Sequence, residues 1–196
     1  MDGTTGRKPS PHFVWARLSP GRIEDRCRVP LLTTAVEETA ITDLKFEDIE
    51  ADFAARTRRI VWCSVATVDR AGRPRNRILH PIWEGKLGWI ATGRHSLKEK
   101  HLDANPNISM LYWDPQQENV QIEATAAWED GPAERRRVWD LYKSAPPPLG
   151  YDIGDFFPGG PDGGDWGLLK ITPWRIELSG MADAAAGLPF RRVWRA

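Results

Sequence analysis

Three cationic and two hydroxyl side chains stand at spacings that suit a phosphate group. Arg75 and Arg77 lie two apart in an extended run, so a strand there points both to one side. Thr92 closes the next apolar run. Ser96 and Lys98 then open a helical pattern. Free N–H groups at a helix N-terminus attract an anion, and the dipole adds roughly 0.3–1 kcal/mol. Lys98 sits in the first turn, where the dipole opposes a cation, and its placement is easier to explain if an anion joins it. The plain alternative is a solvated lysine, with two solvated arginines following the Gly72-Arg73-Pro74 turn.

The stretch from Arg75 to Asn107 must position these groups. Two apolar runs flank a turn at Glu84-Gly85-Lys86, which predicts a hairpin ending at Ala91-Thr92-Gly93. Ser96 followed by Glu99 has the spacing of a capping box, in which each side chain answers the other's backbone N–H. Asn105-Pro106 stops the helix, because the residue before proline is pushed out of the helical region.

The rest of the chain supplies a frame. A helix is predicted over 43–58 from Leu44, Ile49 and Phe53, with acids near its start. The β-branched run Ile60–Val68 predicts the first strand. Strands follow at Ile108–Trp113 and Asn119–Trp128. A helix is expected over Ala133–Ser144 behind Pro132. The loop 145–165 is rich in glycine and proline and carries Leu149, Tyr151, Phe156 and Phe157, which favours a packed lid or a dimer contact over a free linker. Strands at Trp166–Ile171 and Trp174–Leu178 flank Thr172-Pro173. A polar, alanine-rich bend leads to Phe190–Trp194. Six or seven strands with two or three helices predict a mainly β protein, a small barrel with peripheral helices. Residues 1–40 are expected to be a poorly ordered or loosely docked extension, and 41–196 to be the domain.

Composition limits the function classes. The 196 residues carry 27 basic and 27 acidic side chains, so no positive excess argues for nucleic acid or an anionic membrane. No apolar run approaches the length of a membrane span, and no secretory leader pattern opens the chain. A cytoplasmic location is therefore expected. Cys27 and Cys63 have no metal-binding spacing, and no metal site is expected. Cys63 falls in an apolar strand and is expected in the core. Ten tryptophans suit a core or an interface before they suit a ligand cage.

From Arg75 and Arg77, through Trp89-Ile90-Ala91-Thr92 and Ser96-Leu97-Lys98, to Asn105-Pro106-Asn107, the order of elements resembles the flavin-binding core of the pyridoxamine 5′-phosphate oxidase-like family. The similarity continues through Ile108–Leu111 and Val120–Ala124. It spans roughly residues 46–196. The resemblance implies a split barrel of the FMN-binding type and a homodimer with FMN sites between subunits. It places the FMN phosphate on Arg75, Arg77, Ser96 and Lys98, with Leu97 beside them. Ala91, Thr92 and the backbone of Ile78, Leu79 and His80 would border the ring and the ribityl chain. Asn119, or Gln121, would approach the flavin. Trp166, Arg191 or Arg192 would reach it from the partner subunit. His80 is a candidate for proton exchange, since an imidazole titrates near neutral pH. A hydrogen-bonded strand histidine before Pro81 is the alternative.

Departures from the family pattern point away from vitamin B6. The places that hold a substrate-phosphate arginine and serine in genuine pyridoxamine phosphate oxidases fall on Ala145 and Leu149. Ser179 stands for a family tryptophan, and a basic residue near Pro81 is missing. Each lost charge-assisted hydrogen bond is worth about 1.5–3 kcal/mol. The expectation is an FMN-dependent oxidoreductase with another small substrate. The alternatives are a non-catalytic flavin or haem carrier, or a reductase using the deazaflavin F420, whose longer tail would need Arg70, Arg73 and Arg94.

Overall fold

The computed structural model describes residues 43–196. The expected N-terminal extension, with Cys27, lies outside the described residues. In order, the elements are β1 (Asp43–Leu44), α1 (Glu50–Ile60), β2 (Cys63–Val68), β3 (Pro74–Leu79), β4 (Pro81–Glu84), β5 (Leu87–Gly93), α2 (Leu97–Ala104), β6 (Asn107–Trp113), β7 (Asn119–Glu129), α3 (Pro132–Ser144), β8 (Trp166–Ser179), α4 (Met181–Ala185) and β9 (Arg191–Arg195).

The strands curl into a split barrel. Antiparallel pairing runs β4–β5–β8–β7–β6–β2–β3. The first and last strands of that path are one stretch of chain, for β3 continues into β4 through the single residue His80. The barrel therefore closes through a covalent link, at which the chain changes partner from β2 to β5. At its other end β8 pairs with β9, which pairs in parallel with β1.

Period-two alternation fills the interior. Ile108, Met110 and Tyr112 of β6 point inward while their neighbours face out. They meet Cys63, Val65, Val120, Ile122, Ile171, Ile176 and Leu178, and α1 covers one opening with Ile49 and Phe53. Cys63 is fully buried, and burial raises its thiol pKa well above the ordinary range. A second apolar cluster lies outside β4, β5 and β8, where α3 and the following loop contribute Val138, Trp139, Tyr142, Leu149 and Ile153 against Ile82, Trp89, Trp166 and Leu168.

The structure differs from the sequence expectations in several places. The helix expected over 43–58 starts later and ends later, so Ile60 is its last residue and the strand begins at Cys63. The two strands expected around Pro173 are one. Pro173 is tolerated because β5 pairs only as far as Ile171 and β9 begins at Arg175, so no ladder bond on that edge is lost. Opposite it, the β7 register slips between Glu123 and Ala124, which is a β-bulge. The bend after Ser179 contains α4, and the described residues form nine strands rather than six or seven. The capping box does not form. Ser96 is the N-cap, but its hydroxyl donates to the Gly93 carbonyl at 3.2 Å, and Glu99 instead pairs with Arg94 at 2.9 Å.

Candidate functional site

Two neighbouring regions at the end of β5 bring most of the expected residues together. The first is polar. Lys98 folds back over the start of α2, donating to Ser96 Oγ at 2.7 Å and to the Gly93 carbonyl at 3.3 Å. Arg77 reaches across from β3 and donates to Thr67 Oγ1 at 2.9 Å. Burial pulls the Lys98 pKa below the ordinary lysine range, Arg77 pulls it further, and Glu99 only partly offsets this. The Arg77 pKa is also lowered, by burial alone. Two partly dehydrated cations thus face each other, and among the described residues neither has a carboxylate in an ion pair. Burying like charges without a counter-ion is costly, so the arrangement fits a bound anion. Arg75, two residues from Arg77 on the same strand face, is exposed.

The second region is an apolar cleft of about 380 Å³, lined in part by Trp62, Ile78, His80, Thr92, Tyr151 and Phe156. Its volume is within the range of small-molecule sites. Leu79 and Ala91 also border it, so the expected ring-binding set is assembled. Leu97 is not part of it and stands 71% exposed on α2.

His80 sits at the strand switch, inside an aromatic frame. Its ring lies 5.2 Å from Trp62 and 4.9 Å from Tyr151. Tyr142 pins the switch from outside: its hydroxyl shares one proton between the carbonyls of His80 at 2.7 Å and Trp89 at 2.8 Å. Burial lowers the His80 pKa, with a hydrogen bond toward the Leu149 backbone acting against it. Burial therefore favours the neutral imidazole, and among the described residues its buried Nε2 has no hydrogen-bond partner. Burial likewise raises the Tyr151 pKa to about 12.

Trp62 reaches the cleft through a strained turn. Val61 has φ 65° and ψ −61°, and the Trp62 N–H bonds back to the Ile60 carbonyl at 2.7 Å. This is a γ-turn of the rare, strained hand, on a β-branched residue. It ends the helix and turns Trp62 outward over His80.

The remaining expected residues lie elsewhere in this chain. Asn119 is at the far end of β7 from Glu129, the residue in register with Leu168 and, through it, Ala91. Trp166 is a core residue, 1% exposed, with its indole N–H on the Pro161 carbonyl at 3.1 Å and the Arg135 guanidinium over its ring. Arg191 is paired with Glu177 at 2.8 Å and 2.7 Å. Arg192 is buried against Asp183 and Asp52. Sequence reasoning missed Trp62, which lines the cleft, and Thr67, which accepts from Arg77. The loop aromatics Tyr151, Phe156 and Phe157 carried a signal, since a long loop with apolar residues packs onto something.

The chain is thus a split barrel with a cation pair and an apolar cleft at its strand switch. Residues 49–178 match the family described as pyridoxamine 5′-phosphate oxidase, and the chain belongs to that family. No curated protein matches it. Solved structures share the fold. A Clostridium acetobutylicum protein related to general stress protein 26 is 14% identical with a TM-score of 0.61, covering 78% of this chain and 96% of that one. An FMN-binding, pyridoxamine 5′-phosphate oxidase-related protein from Nostoc punctiforme is 17% identical with a TM-score of 0.52, covering 72% and 87%. A haem storage protein from Vibrio cholerae is 15% identical with a TM-score of 0.50, covering 64% and 89%. At these identities the likeness concerns the fold, and function rests on the site.

Proposed function

We propose that this protein binds FMN and acts as an oxidoreductase on a small, largely apolar substrate. The observation that carries the proposal is the pair of partly dehydrated cations, Arg77 and Lys98, with no carboxylate partner among the described residues, beside an apolar cleft of about 380 Å³. The phosphate of FMN supplies the missing anion, held by Arg77, Lys98 and Ser96, with Arg75 at the rim. The ring lies in the cleft against Ile78, Leu79, Ala91 and Thr92. When bound, FMN supplies the hydride chemistry. The protein's part is to hold ring and substrate together, exclude water with Trp62, Tyr151 and Phe156, and keep a neutral imidazole, His80, at the cleft wall.

Vitamin B6 phosphate is a poor substrate on this reading. Leu149 belongs to the second apolar cluster and Ala145 packs against it, so no cationic fork stands there for a second phosphate.

The active form is a homodimer on the same proposal. Ile78, Ser64 and Leu111 are cross-strand neighbours on the outer face of β3, β2 and β6, and Trp62 and Trp113 lie on that face too. Ile78, Trp62 and Trp113 are more than half exposed. This apolar face adjoins the cleft, and a second copy covers both.

The test is the absorption spectrum of the purified protein and the mass of what denaturation releases. FMN bands and FMN's mass support the proposal. A haem or deazaflavin spectrum moves the function to that cofactor. A colourless protein that takes up no FMN overturns it.

A further inference from the structure

Behind the cation pair lies a hydrogen-bond chain that the flavin site as described does not use. Thr67 Oγ1 accepts from Arg77 Nη1 at 2.9 Å and lies 2.9 Å from His101 Nδ1. Thr67 and His101 are 2% and 8% exposed. Chemistry fixes the Arg77 end of the chain. Arginine only donates, so the hydroxyl oxygen of Thr67 accepts from it. The hydroxyl keeps its own proton to give, and in the proposed chain it donates to His101 Nδ1.

The elements explain the arrangement. His101 follows Lys98 by three residues, so both lie on the buried face of α2. Thr67 is in β2, opposite Arg75 and two residues from the partner of Arg77. The same helix face therefore supplies one cation directly and fixes the other through a hydroxyl. Among the described residues, Thr67 is the one hydrogen-bond partner of the Arg77 side chain, which leaves its remaining N–H groups for a ligand.

We propose that His101 is a positioning residue for phosphate, acting through Thr67 to orient the guanidinium of Arg77. The inference rests on the FMN reading above and adds two residues to it. Holding an arginine in its binding geometry before the ligand arrives removes the ordering cost at binding. It also favours ligands with a phosphate over the same ligand without one.

The experiment compares FMN with riboflavin, which lacks the phosphate, by fluorescence titration. His101→Leu removes the acceptor and Thr67→Val removes the hydroxyl at constant shape. Each should weaken FMN roughly tenfold, the size of one oriented charge-assisted hydrogen bond, and leave riboflavin unchanged. The double variant should lose no more than either single one, because both break one chain. His101→Asn, which keeps an acceptor near the Nδ1 position, should restore FMN binding. Equal losses for FMN and riboflavin, or additive losses in the double variant, would mean a structural role and overturn the inference. Undiminished FMN binding in Thr67→Val would do the same, even if His101→Leu fails to fold. A wild-type protein that binds neither FMN nor inorganic phosphate overturns the FMN reading itself.

Discussion

Lys98 is a cation held at a cost to the folded protein. Burial and Arg77 depress its pKa, so its charged form is disfavoured in the folded state. That cost is fully present below the folded pKa and fades as pH rises from there to the ordinary lysine range. Lys98→Met should therefore raise the melting temperature of the ligand-free protein at pH 7, by less at alkaline pH, while weakening FMN at least tenfold. Calorimetry and a flavin titration on one sample check both signs. Gly150 makes a different kind of demand. A Cβ there would lie 1.8 Å from the Ala145 carbonyl oxygen, which is backbone and cannot rotate away. Gly150→Ala should cost about 3 kcal/mol in denaturant unfolding. At this scale the sequence showed Arg77, Ser96 and Lys98, because strand and helix spacing place them locally. Thr67 and His101 were hidden, since they lie 34 residues apart and meet only through tertiary packing. Trp62 was hidden by the left-handed Val61, which no residue type announces.

Glu177 is the clamp between β8 and β9. It is almost buried and accepts from Arg191 at 2.8 Å and 2.7 Å and from Arg175. These hydrogen bonds, Arg191 first, hold its pKa below the usual carboxylate range. The stabilisation is present above that range and is lost as pH falls through the folded pKa. Glu177→Gln should cost about 1–3 kcal/mol at pH 7, and the deficit should shrink in acid, where the wild-type carboxylate is also neutral. Urea unfolding at both pH values tests this. Most elements were legible: the Gly85 hairpin, the Asn105-Pro106 stop, the strand Ile108–Trp113, and the helix behind Pro132. Two misreadings have different causes. Ile60-Val61-Trp62 has strand-like residues, but Ile60 ends α1 and the γ-turn at Val61 follows it before the strand starts. Thr172-Pro173 looks like a break, but pairing with the distant β7 carries the strand through it.

At the scale of the molecule, the described residues include an exposed apolar face on β3, β2 and β6, where the proposed second copy sits. Leu111→Lys puts a charge at its centre and should shift sedimentation toward the monomer and weaken FMN along with it. Retained dimerisation would move the interface elsewhere. The strand switch has a further consequence. Leu79 pairs with Cys63 and Pro81 with Ile90, and Pro81 has no N–H to contribute. The barrel wall is thus thinnest in exchangeable protons where the cleft lies. Deuterium should enter the amides around His80 sooner than those of β7, which is paired on both sides. A ligand seated in the cleft should slow that entry at the switch while leaving the far wall unchanged, so the rate at which one short segment acquires deuterium reports occupancy of the site.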